Sequence, residues 1–349
     1  MSAGLPVLRS VLVTPLSGPL ARFGRAGAAA LQIWAESMPE GVELQVHDAY
    51  PDPAAAMGQA TAARPEVVFG PYGSGPTIQA IQATSRVVWN QGGATSRLRR
   101  PEFPGVVNVL APARSYFETA LQAIRSSDPE ARTVLLFTAA TAFGREVAEG
   151  GMGAAAQLGF EVQHVEFRPR KALGASAVAR PAEVLLVAGS FEDEAALAGA
   201  LLPGGWRWAV FVGAGVEEVL PQEVREGLLG PAQWMAEAAP EADEGPAAEW
   251  FVGVYRDRTG EAPSYPAAQA FAAGILWART AREAGSLDEA RVLEGAFDLR
   301  CRTLFGDFRL DRPTGLQVGH RVLVVQWQGS KRRVVWPPDL AQVEPRPLR

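Results

Sequence analysis

The sequence predicts an α/β protein made of two units in tandem, each a mostly parallel sheet flanked by helices. Three observations predict it. Short apolar runs alternate with amphipathic stretches along most of the chain, the pattern of parallel strands joined by crossover helices. The same order of strand and helix starts again after a junction near Pro112. A length of 349 residues with 48% hydrophobic side chains can fill two cores without covalent staples.

The first half places strands at Val7 to Val13, Val42 to Val46, Val67 to Phe69, Val87 to Trp89 and Val106 to Val109. Helices are expected from Gly24 to Glu36, Ala54 to Ala63 and Gly75 to Thr84. Beyond Pro112 the pattern gives strand Val134 to Thr138, helix Gly144 to Leu158 and strand Glu161 to Phe167. It continues with strand Val184 to Ala188, helix Glu192 to Leu202 and strand Trp208 to Val212. The last third breaks the symmetry, with helices over Ala247 to Arg258, Tyr265 to Ala284 and Leu287 to Phe297, then strands Gly306 to Leu310 and Val322 to Gln328. This tail has no third core of its own, so it must pack back on both units and cross between them. Crossings are expected at the Pro-rich Ala238 to Pro246 and around Gly315 to Val322. The first lobe is therefore read as 1–112 with 240–316 and the second as 113–239 with 317–349. Pro345 to Arg349 is expected to fray.

Several function classes are disfavoured. A formal charge of −5 without any block of like charges offers no nucleic-acid footprint and no polybasic membrane patch. No run of apolar residues is long enough to span a bilayer. Met1 to Arg9 lacks a charged start followed by an apolar run, so no secretory signal is read there. The lone Cys301 cannot form an internal disulfide and reads as a small core residue. His47, His164 and His320 have no metal-ligand spacing and read as surface or strand-end residues. Tyr72-Gly73-Ser74-Gly75-Pro76 lacks the first glycine of a nucleophile elbow. No enzyme, metal or cofactor is expected.

The most informative segment is Val67 to Thr77, a strand that ends in the turn Gly70-Pro71-Tyr72-Gly73-Ser74-Gly75-Pro76 and feeds a helix. Free backbone N–H groups at that helix start, with the Ser74 hydroxyl, suit a carboxylate at the sheet edge. A phosphate would also fit such a cradle, but the Walker lysine and the full dinucleotide fingerprint are missing. A second turn, Trp89 to Ser96, brings Gly93, Ala94 and Thr95 to the same edge. Phe23, Tyr72, Phe143 and Phe191 each follow a strand end, where aromatic rings can sandwich an organic ligand.

These residues carry a family resemblance. Leu12 to Gly24, with Pro15-Leu16-Ser17-Gly18 and Phe23-Gly24, resembles the opening of the leucine/isoleucine/valine-binding type of ABC-transporter receptor. Gly70 to Pro76, Gly93-Ala94-Thr95-Ser96, Ala142-Phe143-Gly144, Tyr265 to Phe271, Gly306-Asp307-Phe308 and Val324 to Trp327 follow in the family's order. The resemblance implies a type I periplasmic-binding-protein fold of two Rossmann-like lobes joined by three crossings, with ligand clamped in the cleft by hinge closure. It implies that Ser74 and Thr95 bind the ligand carboxylate with the backbone of Gly93 and Ala94 assisting, that Phe23 and Phe143 cover the ligand, and that Ser190 or Phe191 adds contacts. Tyr72 and Gly73, from the first glycine turn, join the expected site. Arg114 and Tyr116, just past the first crossing, complete the expected set with Gly215.

The departures shape the expected ligand. Gly215 stands where the family's partner for a ligand ammonium is assigned, and the aspartate expected after the first crossing is absent from Ala111 to Ser115. A buried ammonium left unpaired costs about 3 to 5 kcal/mol. An aromatic or aliphatic carboxylate is therefore expected in place of a standard amino acid, unless Glu192, Asp193, Glu217 or Glu218 swings in. The family's N-lobe disulfide would fall near Tyr50 and Gly73, neither of which is cysteine. Lys171 to Arg180 is short for the helix the family places before Val184. The expected protein is a monomeric, non-catalytic receptor that hands a small carboxylate to an ABC permease. It is extracytoplasmic if a signal was removed and cytoplasmic if Met1 is the native start. The alternative is a cytoplasmic sensor of the same fold acting through a regulatory partner.

Overall fold

The computed structural model describes residues 8–39, 41–168, 182–216 and 219–348. The chain divides into two compact units, Met1–Ala111 with Trp234–Arg321 and Pro112–Gln233 with Val322–Arg349, so it passes between them three times. The expected α/β class holds in both.

The first unit opens with β1 (Leu8–Thr14), α1 (Ala21–Ser37), β2 (Val42–Asp48), α2 (Pro53–Ala62), β3 (Val67–Phe69), α3 (Ser74–Gln82), β4 (Val88–Asn90) and β5 (Val106–Asn108). These strands form one parallel sheet in the order β2-β1-β3-β4-β5. The chain runs outward from β1 to β2 and then back past β1 to β3, so the strand order reverses between β1 and β3. Open α/β sheets bind ligands at the carboxyl ends flanking such a point. Alternate residues of β1 explain the two helical layers. Val11 and Val13 pack with Ala56 and Met57 of α2 and Ala80 and Ile81 of α3. On the other face Phe69 meets the edge of Trp34 of α1 at 5.4 Å.

The second unit starts with α4 (Ser115–Ser127), β6 (Thr133–Ala139), α5 (Ala142–Gln157), β7 (Glu161–Phe167), β8 (Val184–Ala188), α6 (Phe191–Leu201), β9 (Trp208–Phe211), α7 (Gln222–Arg225) and β10 (Leu229–Ala232). The chain then returns to the first unit with α8 (Ala248–Thr259), α9 (Tyr265–Ala284), α10 (Glu289–Asp298) and the small hairpin β11 (Cys301–Thr303) and β12 (Gly306–Phe308). It ends in the second unit with β13 (Leu323–Gln328) and β14 (Lys331–Trp336). The second sheet runs β14-β13-β10-β9-β8-β6-β7, antiparallel at β13 and β14 and parallel elsewhere. Its order reverses between β6 and β8, as the first sheet's does between β1 and β3.

The structure adds α4, α7, β10, β11 and β14 to the expected elements. Leu229-Gly-Pro-Ala gives no strand signal because proline cannot donate to a ladder. In the fold β10 pairs fully with β13, and its register with β9 is confined to Leu229 opposite Val210. Helix α10 begins two residues later than the apolar pattern predicts because Asp288 takes the N-cap and accepts the Arg291 N–H at 3.1 Å. The second passage falls at Gln233/Trp234 because Trp234 is anchored within the first unit. Its Nε1 donates to the Leu304 carbonyl at 2.8 Å and its ring meets the edge of Phe251.

Two expectations are corrected. The tail after Pro345 is tied to β13: the Arg346 N–H donates to Gln326 Oε1 at 2.9 Å, Gln326 Nε2 donates to the Arg346 carbonyl at 2.6 Å, and the Leu348 N–H reaches Arg207 at 2.9 Å. Cys301 is half-buried and not in the core, although partial burial pushes its thiol up to about 12. The short stretch Lys171 to Arg180 lies outside the described residues.

Candidate functional site

In the first unit, the turn after β1 is fastened by Asp48 at the end of β2. Its carboxylate accepts the Leu16 N–H at 2.8 Å, the Ser17 hydroxyl at 2.6 Å and the Tyr50 N–H at 2.9 Å. Burial opposes ionisation of Asp48, but these bonds outweigh it and hold its carboxyl below the usual range. The serine of Pro-Leu-Ser-Gly is thus an anchor for its own turn. Gly24 lets α1 leave flush with the strand, since a Cβ there would lie 1.8 Å from the Pro15 carbonyl oxygen. That close entry brings Phe23, only 4% exposed, onto Tyr72 from the turn after β3. Their rings stack at 4.7 Å and 21°, and the Arg22 guanidinium lies 4.5 Å from the Phe23 centroid. Tyr72 shares a short hydroxyl contact with Tyr265 at the start of α9. Burial, with Tyr72 beside it, raises the Tyr265 hydroxyl well above its ordinary range, so it remains a donor at neutral pH.

Helix α3 begins at this stack with an open end. Gly73 occupies its N-cap at φ +97°, a conformation that favours glycine, and provides no side-chain cap. The Gly73 N–H donates to the Gly92 carbonyl at 2.9 Å, so it is already taken. Thr77 braces the turn by donating its hydroxyl to the carbonyls of Pro71 at 2.9 Å and Gly73 at 2.8 Å. Among the described residues no protein acceptor takes the N–H of Ser74 or Gly75, and Pro76 has none. Ser74 is 8% exposed. Two N–H groups and a hydroxyl at the positive end of a helix are donors of the kind that suit an anion.

The turn after β4 interlocks with this one. Besides the Gly73–Gly92 bond, a Cβ at Gly93 would fall 2.5 Å from Thr77 Oγ1, so the two loops touch through a position that only glycine fits. Asn90 shapes the loop: its Nδ2 donates to the Gly93 carbonyl at 2.8 Å, and its Oδ1 accepts the N–H of Gly93 at 2.8 Å and of Gly92 at 3.3 Å. The expectation that the Gly93 backbone assists a ligand is therefore narrowed, because its N–H and carbonyl already serve Asn90. Ala94 and Thr95 are buried, and Thr95 Oγ1 accepts the Arg97 N–H at 3.2 Å. Phe23, Tyr72, Gly73, Ser74, Gly93, Ala94 and Thr95 thus gather on one sheet edge, beside the reversal of strand order.

In the second unit, Gly144 repeats the device of Gly24, with a Cβ position 2.0 Å from the Ala139 carbonyl oxygen. Phe143 is half-buried and meets Tyr116 edge-on at 6.2 Å, and Gln233 Nε2 donates to the Tyr116 hydroxyl at 3.1 Å. Both helix starts at this edge are closed by side chains. Thr141 Oγ1 accepts the Gly144 N–H at 3.0 Å at the start of α5, and Ser190 Oγ accepts the Asp193 N–H at 3.1 Å at the start of α6 while donating to its carboxylate at 2.7 Å. Ser190, expected as a ligand contact, therefore has a structural task. Phe191 is half-buried beside it, where a Cβ on Gly213 would lie 3.3 Å from its ring. Arg114 is exposed and precedes α4, with its carbonyl pressed against Gly150.

Gly215 is packed against backbone and has no room for a side chain. A Cβ there would lie 1.8 Å from the Pro231 carbonyl oxygen, and its own carbonyl accepts Arg332 Nη1 at 2.7 Å. No acidic side chain fits at this position. The acid that the sequence reading missed is Glu194, fully buried, which accepts the N–H of Gly189 at 3.0 Å and of Gly213 at 2.6 Å. Burial raises it to about 8 against the pull of those two bonds. Nothing in Glu-Asp-Glu at 192–194 distinguishes it from a solvated run. Arg22, Asn90 and Tyr265 were also missed, although Asn before Gln-Gly-Gly carries a turn signal. Of the acids considered as substitutes, Glu192 is exposed, Asp193 is engaged by Ser190, and Glu217 and Glu218 lie outside the described residues.

Among the described residues no group of three or more histidine, cysteine or acidic side chains is placed to hold a metal. His320 departs from the surface expectation, being buried and stacked on Phe305 at 4.2 Å. No described helix is long and apolar enough to cross a membrane.

Comparison with solved structures agrees with this architecture. The chain superposes on a leucine-binding protein from Thermotoga maritima with a TM-score of 0.80 at 19% identity, covering 95% of this chain and 99% of that one. A solute-binding protein of an ABC transporter from R. palustris, in complex with benzoate, gives 0.76 at 16% identity over 94% and 95%. A branched-chain amino-acid transporter substrate-binding protein from Streptococcus pneumoniae, in complex with isoleucine, gives 0.76 at 15% identity over 95% and 100%. At these identities the likeness is one of fold. The family model described as periplasmic binding protein matches residues 11–332, nearly the whole chain, and the protein belongs to that family.

Proposed function

We propose that this protein is a solute-binding receptor that captures a small carboxylate-bearing ligand and delivers it to an ABC permease outside the cytoplasm. The observation that carries the reading is the open start of α3, with the N–H groups of Ser74 and Gly75 and the Ser74 hydroxyl beside the stacked Phe23 and Tyr72. A charged acceptor gains about 1.5 to 3 kcal/mol from each such bond, so three or four support micromolar binding after ordering costs. The second turn adds the Thr95 hydroxyl.

The ligand we favour is an aromatic or aliphatic acid without an amine. Gly215 has no room for an acidic side chain, and the carboxyl of Glu194 is held by backbone inside its own unit. The Arg22–Phe23–Tyr72 stack offers a flat, polarised face that suits an aromatic ring. Structural neighbours have been crystallised with benzoate and with 3,4-dihydroxybenzoate, which supports the class without transferring it. A thermal-shift screen followed by titration calorimetry tests this, with benzoate, 4-hydroxybenzoate and 4-methyl-2-oxopentanoate against leucine and isoleucine. Bound ligand raises apparent stability by mass action. We expect the acids to raise the melting temperature and the amino acids to leave it unchanged; tighter binding of leucine than of every acid would refute the preference.

A further inference from the structure

We infer that Asn90 is a positioning residue that presets the loop from Gly92 to Thr95 before any ligand arrives. The inference rests on the reading of that loop as a ligand-binding element, and names a residue that does not itself touch the ligand. Asn90 is fully buried at the carboxyl end of β4, directly opposite Asn108 at the end of β5 in the parallel register. Its Nδ2 donates both to the Gly93 carbonyl and, at 2.8 Å, to Asn108 Oδ1, while its Oδ1 collects the N–H groups of Gly92 and Gly93. Asn108 passes the restraint onward, its Nδ2 donating to the carbonyls of Leu98 at 2.8 Å and Gly315 at 2.9 Å. The loop is thereby tied to β5, to the segment beyond Thr95 and to the chain that follows β12.

Only a neutral amide satisfies this position. Aspartate would match the two N–H groups but would turn an oxygen toward the Gly93 carbonyl and toward Asn108 Oδ1, and would add negative charge beneath an anion site. Serine or alanine would leave buried backbone groups unpaired, which the interior strongly disfavours. The loop contains two glycines and would otherwise sample many conformations, so fixing it in advance removes an ordering cost from binding.

The test uses the full chain and two substitutions. Amide exchange resolved by NMR reads the unliganded loop. In Asn90→Ala the Gly93 amide should exchange at least tenfold faster while amides of β1 and β3 are unchanged, and Asn90→Asp, which turns an oxygen toward the Gly93 carbonyl and Asn108 Oδ1, should not restore wild-type protection. Calorimetry with benzoate and 4-hydroxybenzoate then compares wild type with Asn90→Ala well below both melting temperatures. The expected loss is about tenfold, carried by a less favourable entropy with the enthalpy of contact retained. Unchanged Gly93 exchange overturns the inference, as does unchanged affinity for an acid that the wild type binds. If the wild type binds neither acid, the ligand preference fails, and the preset loop is decided by the exchange result alone.

Discussion

The two units solve the same construction problem and differ where a ligand would be held. Each sends a helix away from its first strand through an aromatic-glycine pair, Phe23-Gly24 and Phe143-Gly144, where a Cβ on the glycine would lie 1.8 and 2.0 Å from the carbonyl oxygens of Pro15 and Ala139. Each then joins the ends of two neighbouring strands by a buried side chain. The first unit uses amides: Gln91 Nε2 donates to the Gly70 carbonyl at 2.9 Å, and Asn90 holds Gly92 and Gly93. The second uses a carboxyl, Glu194, between Gly189 and Gly213. The helix starts differ most. Thr141 and Ser190 cap α5 and α6, while α3 has Gly73 at its N-cap and no side-chain cap. A capped start has its donors answered, and an open one keeps them for an anion. The difference teaches that α3 keeps its first donors available where α5 and α6 spend theirs on their own caps.

The largest effect should test the shared device. Gly24→Ala and Gly144→Ala each force a methyl into backbone, so each should cost about 3 kcal/mol or more in denaturant titrations. A small loss in one and a large loss in the other would show that the units are not built alike.

The next effect separates them by pH. Glu194 is raised by burial to about 8 in the fold, above its ordinary 4.5. The folded state therefore keeps a proton that the unfolded chain has lost between those values. Stability from this group is complete below that window and declines as pH rises through it. Asp193, the neighbouring charge, acts in the same direction. Stability measured from pH 5 to 8 should fall, and Glu194→Gln should remove most of that slope. A Glu194→Gln profile with the same slope as wild type would show that Glu194 is ionised in the fold. The amides of the first unit do not titrate, so its edge should contribute no such slope.

Much of this architecture was legible in the sequence, for identifiable reasons. Strands such as Val67–Phe69 and Val184–Ala188 are buried on both faces and read as unbroken apolar runs. Helix α9 was legible over its full range, with Pro266 near its start and Gly285 just past its end. The placing of Ser74 and Thr95 on one sheet edge was legible because glycine turns after strands have a recognisable pattern. What stayed hidden depends on tertiary context. Pro231 lies inside a sheet because its strand pairs mainly with β13. Glu194 is buried although its neighbours Glu192 and Asp193 are not, and no local pattern distinguishes the three. Asn90 is important for its partners Gly93 and Asn108, and the second of these lies on another strand.

The central claim is most directly tested by titration calorimetry of two double variants with the tightest-binding acid of the panel. Ser74→Ala with Thr95→Val removes hydroxyls at the open edge; Thr141→Ala with Ser190→Ala removes the caps of the other unit, at about 1 kcal/mol of stability each. The account predicts at least a tenfold loss of affinity in the first pair, with little change in melting temperature, and near wild-type affinity with a lower melting temperature in the second. Wild-type affinity in the Ser74 and Thr95 pair would contradict it.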